Sequence, residues 1–170
     1  RVGEVDKEIE FVNQRANEMK LVLNLGKEGK IPVRVTHNDT KINNVLFDQD
    51  EKAICVIDLD TVMPGYVHYD FGDAIRTFTN TAEEDEKDLS KVSMNISLFE
   101  AFARGFISET KSILTQAEIE TLALSARIMT YIIGLRFLTD YIEGDVYYKT
   151  FYPGHNLTRA RVQFRLIESM

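Results

Sequence analysis

The chain has 170 residues, enough for one domain with a sizeable core, and it begins at Arg1 without an initiator Met. Its net charge of −7 excludes a non-specific nucleic-acid binder, because no excess of cations is available to neutralise a phosphate backbone. A single cysteine, Cys55, excludes an internal disulfide and fits a reducing cytosol. We therefore expect one cytoplasmic globular domain over residues 1–170, without a nucleic-acid or membrane partner.

The first 35 residues predict one helix followed by an extended segment. Apolar residues at three- and four-residue spacing predict an amphipathic helix over residues 9–23, which Gly26 and Gly29 end. After Pro32, a short extended run places two valines on one face and an arginine on the other.

A β-hairpin is predicted next. The β-rich runs 44–47 and 53–57 are separated by the polar turn 48–51, while residues 37–44 are polar and loop-like. Cys55 lies in the middle of the second run, which predicts a small, buried apolar side chain.

From Asp60 onward, a Pro-Gly loop leads into a helical pattern, with an acidic segment at 83–88 predicted to be a solvated loop or helix face. The predicted helices are residues 70–78, residues 98–113, a long helix that the capping box Thr115–Glu118 opens, and a last helix after His155. The long helix is apolar nearly all round and must be central to the core. Arg127, Arg136 and Asp140 interrupt its apolar stretch, which excludes a lipid-facing span. The fold class is therefore α+β and mostly helical.

The residues that carry chemistry lie in the polar loop and at the end of the hairpin. Asp39 is followed five residues later by Asn44, the spacing between base and metal-binding residue in a kinase catalytic loop. Lys41 occupies the place of a lysine that reaches the transferred phosphate, and Asp58 can face back across the hairpin toward Asn44. Carboxylate and amide oxygens suit Mg²⁺. The pattern predicts phosphoryl transfer, with Asp39 and Lys41 catalytic and Asn44 and Asp58 at the metal.

A literal Asp70-Phe71-Gly72 also occurs, thirty-one residues after Asp39 and at the start of a predicted helix. Asp58, at the end of a strand, has the better separation for a metal ligand. For Asp70 the position indicates a structural task, either holding the backbone of the catalytic loop or capping its own helix. His37 is expected to brace the loop and not to act as an acid or base.

Three stretches, residues 36–46, 56–65 and 69–76, resemble the aminoglycoside phosphotransferase and choline kinase superfamily, and in particular its N-acetylhexosamine 1-kinases. Residues 134–148 and 155–157 are also similar to that subgroup. The resemblance implies the C-terminal lobe of a protein-kinase-like fold with a small catalytic hairpin. It also implies ATP- and Mg²⁺-dependent phosphorylation of the anomeric hydroxyl of an amino sugar.

The resemblance further implies that Lys41, Arg136 and a tyrosine at 147 or 148 reach the sugar. Arg136 could equally pair with Asp140 or Glu143, the tyrosines could serve packing alone, and Asp60 could contact substrate or shape its loop.

Two departures from the subgroup stand out. No glycine-rich loop or strand lysine is present, so the ATP-gripping N-terminal lobe is expected to be missing from this chain, and the isolated fragment to be inactive. A fragment with an exposed lobe interface could dimerise. No tryptophan is present for the sugar pocket, so either the chain is clipped or the pocket differs. Competing hypotheses are a kinase for choline, a thioribose or an aminoglycoside, and a non-catalytic module of the same fold.

Overall fold

The computed structural model describes residues 1–170, and α-helices make up most of it. The helices are α1 (Asp6–Arg15), α2 (Leu21–Lys27), α3 (Val67–Phe78), α4 (Ile96–Thr110), α5 (Gln116–Glu143) and α6 (His155–Ser169). The strands are β1 (Arg34–Thr36), β2 (Val45–Phe47), β3 (Ala53–Val56) and β4 (Met63–Gly65). This order of helices, a small β region and a helical bundle confirms the predicted α+β, mostly helical class.

Helix α5 is the central element, because it packs against both α3 and α6. Two glycines mark the closest approaches. A Cβ on Gly72 of α3 would overlap the carbonyl oxygen of Ser125, and one on Gly134 would lie 2.7 Å from the ring of Phe164 on α6. By length and composition alone α5 could cross a membrane, but half of its most apolar window is buried inside the fold. The core helix of a globular protein passes the same test.

A buried ion pair ties the β region to α5. Glu118 is fully buried, and both of its carboxylate oxygens accept hydrogen bonds from the Arg34 guanidinium of β1, at 2.7 and 2.8 Å. Glu118 also completes the predicted capping box with Thr115. Burial alone would raise the pKa of Glu118, but the bonds from Arg34 and Thr115 hold it below its ordinary value. Arg34 is thus the inward-facing residue of its strand, and the neighbouring Val35 is 79% exposed.

The β region differs from the prediction in two places. The segment expected as a Pro-Gly loop forms β4, which pairs antiparallel with β1 and places Pro64 opposite Val35. A two-stranded sheet tolerates proline because each strand is an edge. The predicted hairpin is present as β2 and β3, but the prediction that Cys55 is buried was wrong, because all four residues of β3 are exposed. No second layer covers this hairpin.

The N-terminal helix is also divided. The predicted helix over residues 9–23 is α1 and α2, separated by a tight 3₁₀ turn at Glu18–Lys20. The turn places Met19 and Val22 in the core. Gly29, at a φ of 71°, follows the end of α2, a left-handed conformation that suits glycine.

Candidate active site

The polar loop between β1 and β2 holds Asp39 beside a lysine and an amide. Lys41 Nζ lies 2.8 Å from Asp39 Oδ2, and Asn44 Nδ2 donates to the same oxygen at 2.9 Å. Asn44 Nδ2 also donates to the backbone carbonyl of Asp39 at 2.8 Å. Both neighbours therefore engage Oδ2, which leaves Oδ1 as the oxygen that can accept a proton from an incoming hydroxyl.

These contacts keep the pair charged. Burial alone would raise the pKa of Asp39, but the hydrogen bonds from Lys41 and Asn44 and the charge of Lys41 hold it below its ordinary value. The bond to Asp39 raises the pKa of Lys41 above its ordinary value. At neutral pH the loop therefore presents a carboxylate with an ammonium beside it.

Two carboxylates of α3 hold the backbone of this loop. Asp70 accepts from the N–H groups of His37 at 2.8 Å and Asn38 at 2.7 Å, and Asp73 accepts from Thr40 at 3.2 Å. These are the contacts expected of Asp70 in the structural task. Sequence analysis missed Asp73, although its position three residues after Asp70 places both on one helix face and could have indicated it.

His37 braces the loop against the hairpin. Its Nδ1 accepts from the N–H of Asp39 at 3.3 Å, and its Nε2 lies 3.1 Å from the carbonyl oxygen of Ile57. An acceptor at Nδ1 requires the proton on Nε2, so the two bonds select one neutral tautomer. Both ring nitrogens are engaged, which fits bracing better than proton transfer.

Asn44 and Asp58 are brought together by the hairpin. The N–H of Ile57 donates to the carbonyl of Asn44 at 2.9 Å, so the residue after Ile57 emerges beside the loop. Asp58 is exposed, has a left-handed backbone at φ 62°, and makes no capping bond to the turn that follows. Asp60 is also exposed, within that turn.

The donor set fits Mg²⁺. Asn44 donates through its nitrogen to Asp39, which leaves its amide oxygen for a cation, and Asp58 offers a carboxylate. No group of three or more His, Cys, Asp or Glu side chains could hold a metal alone. Such a sparse set suits Mg²⁺, which is usually held by one or two carboxylates together with substrate phosphates.

Asp39 opens into a cavity of about 520 Å³ between the loop and the helical bundle. Its lining is rich in cations. The charged residues around it are Asp39, Lys41, Arg76, Glu84, Arg136, Lys149 and Arg159. Tyr148 is among the other lining residues. Arg136 and one tyrosine of the pair therefore reach the cleft that contains Asp39.

Arg136 is held by aromatic rings and not by a carboxylate. Its guanidinium lies 5.6 Å from the ring centroid of Tyr147 and 5.5 Å from that of Tyr148. Tyr147 is 72% exposed and lies outside the cavity, whereas Tyr148 packs on Phe137 with ring centroids 4.8 Å apart. The position of Tyr148 therefore suits substrate contact better than that of Tyr147.

Asp140 has a different task from the predicted ion pair. Its carboxylate is buried and accepts from the N–H groups of Val146, Tyr147 and Tyr148 at 2.8–2.9 Å, and from Asn156 Nδ2 at 2.8 Å. It therefore fixes the loop that carries Tyr148.

A family model described as the phosphotransferase enzyme family matches residues 4–104, more than half of the chain. The matched range contains the loop, the hairpin and α3, and hence Asp39, Asn44, Asp58 and Asp70. It ends before α5, so Arg136 and Tyr148 lie outside it.

Proposed function

The chain belongs to the phosphotransferase enzyme family, and on that premise we propose that it is the acceptor-binding and catalytic lobe of a small-molecule kinase. The enzyme uses ATP and Mg²⁺. The acceptor that we propose is an N-acetylhexosamine, phosphorylated at its anomeric hydroxyl.

The observation that carries the proposal is the free oxygen of Asp39 at the mouth of a substrate-sized cavity. Oδ2 is occupied by Lys41 and Asn44, so Oδ1 is the atom that receives the proton of the acceptor hydroxyl. Lys41 lies close enough to stabilise negative charge on the transferred phosphoryl group. Asn44 and Asp58 hold Mg²⁺, which, when bound, neutralises the charge of the nucleotide phosphates.

The charge of the cavity favours an uncharged acceptor over a cationic one. Of the five cations that line it, Arg136 and Lys149 have no carboxylate partner and contact only aromatic rings. A choline or aminoglycoside would bring positive charge to this lining and be repelled. A sugar offers hydroxyls to the same guanidinium and ammonium groups, and an apolar ring face to Tyr148.

We propose that an N-terminal lobe that binds ATP packs on the β region. Several large apolar side chains are exposed there, namely Val35, Leu46, Ile54, Val56, Leu59 and Met63. Such a face usually marks an interface. Without that lobe the γ-phosphate is not positioned, so the isolated chain is inactive and dimerises through this surface.

The test is ATP turnover by the full-length protein with Mg²⁺ and a panel of N-acetylhexosamines, unmodified hexoses, thioribose, choline and aminoglycosides. We expect turnover with an N-acetylhexosamine, and Asp39→Asn should lower kcat by roughly 10²–10⁴, the usual contribution of a positioned base. Asp50→Asn, which changes an exposed carboxylate of the hairpin turn, is the matched control. Turnover of choline or an aminoglycoside alone would refute the sugar, and undiminished kcat in Asp39→Asn would refute the base.

A further inference from the structure

A second cavity, of about 300 Å³, adjoins the one that contains Asp39. The two share Lys41, Arg76 and Glu84 as lining residues. The second cavity is enclosed by the catalytic loop, the end of α3, the acidic segment after it, and Gln163 of α6. An acceptor seated beside Asp39 can therefore extend a substituent into it.

Gln163 is buried at this cavity without a hydrogen-bond partner. The residue is 1% exposed, and its Oε1 is a buried acceptor that receives no bond. Leaving such a group unpaired costs about 1–3 kcal/mol. Close packing fixes its stem, because Gln163 Cβ lies only 3.0 Å from where a side chain on Gly134 would begin. The carboxamide is thus held in place with nothing in the protein to bind.

The cavity is close to electrically neutral. Arg76 pairs with Asp73 at 2.8 Å and lies 3.6 Å from Glu84, and Lys41 pairs with Asp39. Its cations are therefore matched by carboxylates, so it is suited to an uncharged polar group. Ile42 and Ala82 add an apolar wall.

We propose that this cavity is a specificity subsite for the acetamido group of the acceptor, and that Gln163 is the residue that binds it. The inference rests on the proposed function. An acetamido group carries one N–H donor, one carbonyl acceptor and a methyl group. The carboxamide of Gln163 offers the complementary acceptor and donor, and Ile42 and Ala82 receive the methyl group.

The experiment compares kcat/KM of the full-length enzyme for N-acetylglucosamine and glucose, and for N-acetylgalactosamine and galactose. Gln163→Met retains the length of the side chain and removes its amide. We expect this variant to lose roughly tenfold to a hundredfold in kcat/KM for the acetylated sugars, mainly through KM, because one buried pairing is lost. Its kcat/KM for the unmodified hexoses should stay within about twofold of the wild type.

Two controls separate binding from folding. Because the amide of Gln163 has no partner within the protein, Gln163→Met should keep or raise the Tm, and a lowered Tm would point to a structural role. Gln116→Met makes the same chemical change on the exposed surface of α5 and should change neither Tm nor substrate preference.

The outcomes distinguish the subsite from the function beneath it. Wild-type enzyme that does not phosphorylate N-acetylhexosamines overturns both proposals. Wild-type enzyme that does, combined with a Gln163→Met variant whose preference for the acetylated sugar is unchanged, overturns the subsite alone. An equal loss on acetylated and unmodified sugars also overturns it, because a residue that binds the acetamido group must discriminate between them.

Discussion

Asp140→Asn should destabilise the protein strongly, although it changes one atom and keeps the size of the side chain. Oδ1 of Asp140 accepts from Val146 and Tyr147, and Oδ2 accepts from Tyr148 and Asn156. An asparagine can replace one oxygen only with an N–H₂ group. Two of the four bonds are therefore lost, whichever way the amide is turned.

The magnitude follows from those two bonds. Hydrogen bonds to a charged group contribute about 1.5–3 kcal/mol each, so the loss is at least about 3 kcal/mol. For a chain of this length that corresponds to a fall in Tm of about 6–12 °C. The acceptor KM should rise as well, because the loop that carries Tyr148 loses its anchor.

The assay is thermal unfolding followed by circular dichroism, at pH 7 and again below pH 4. Burial alone would raise the pKa of Asp140, but the three N–H groups and Asn156 hold it below its ordinary value. The carboxylate therefore contributes stability above a pH of about 4, and that contribution disappears as pH falls through the folded-state pKa. The gap between wild type and Asp140→Asn should narrow accordingly.

Glu143→Gln is the matched control, since it neutralises an exposed carboxylate on the same helix and should stay within about 0.5 kcal/mol of the wild type. A fall in Tm below 2 °C for Asp140→Asn, or a gap that does not change with pH, would refute the role assigned to these four hydrogen bonds.

Two further predictions concern α3. Asp70→Asn removes one of the two N–H bonds that hold His37 and Asn38, so kcat should fall at least tenfold while nucleotide binding is retained, and equal losses in both would contradict a positioning role. His68 is fully buried, with Nε2 2.7 Å from Thr121 Oγ1, and burial lowers its pKa. The unfolded imidazole, with a pKa of about 6.5, therefore binds protons more readily, and the free energy of unfolding should fall as pH drops from about 6.5 toward 5. His68→Gln should flatten that part of a pH series of urea titrations, and an unchanged slope would exclude His68 as its source.

The sequence by itself determined the local features. The order of the elements, the capping box at Thr115, the hairpin turn and the relative spacing of Asp39, Asn44 and Asp58 could all be predicted. Each depends on residues close together in the chain, where helix periodicity, turn chemistry and strand geometry act directly.

Tertiary structure decided which faces are buried and which residues meet. Cys55 lies in a strand-like pattern that resembles a buried one, but no layer covers its hairpin. Asp140 could have paired with Arg136 one turn away, but the loop that follows α5 returns over it and supplies N–H donors. Tyr148 and Gln163 face the two cavities only because α5 and α6 pack as they do. Such contacts join residues far apart in sequence, and sequence periodicity carries no information on how one helix is rotated against another.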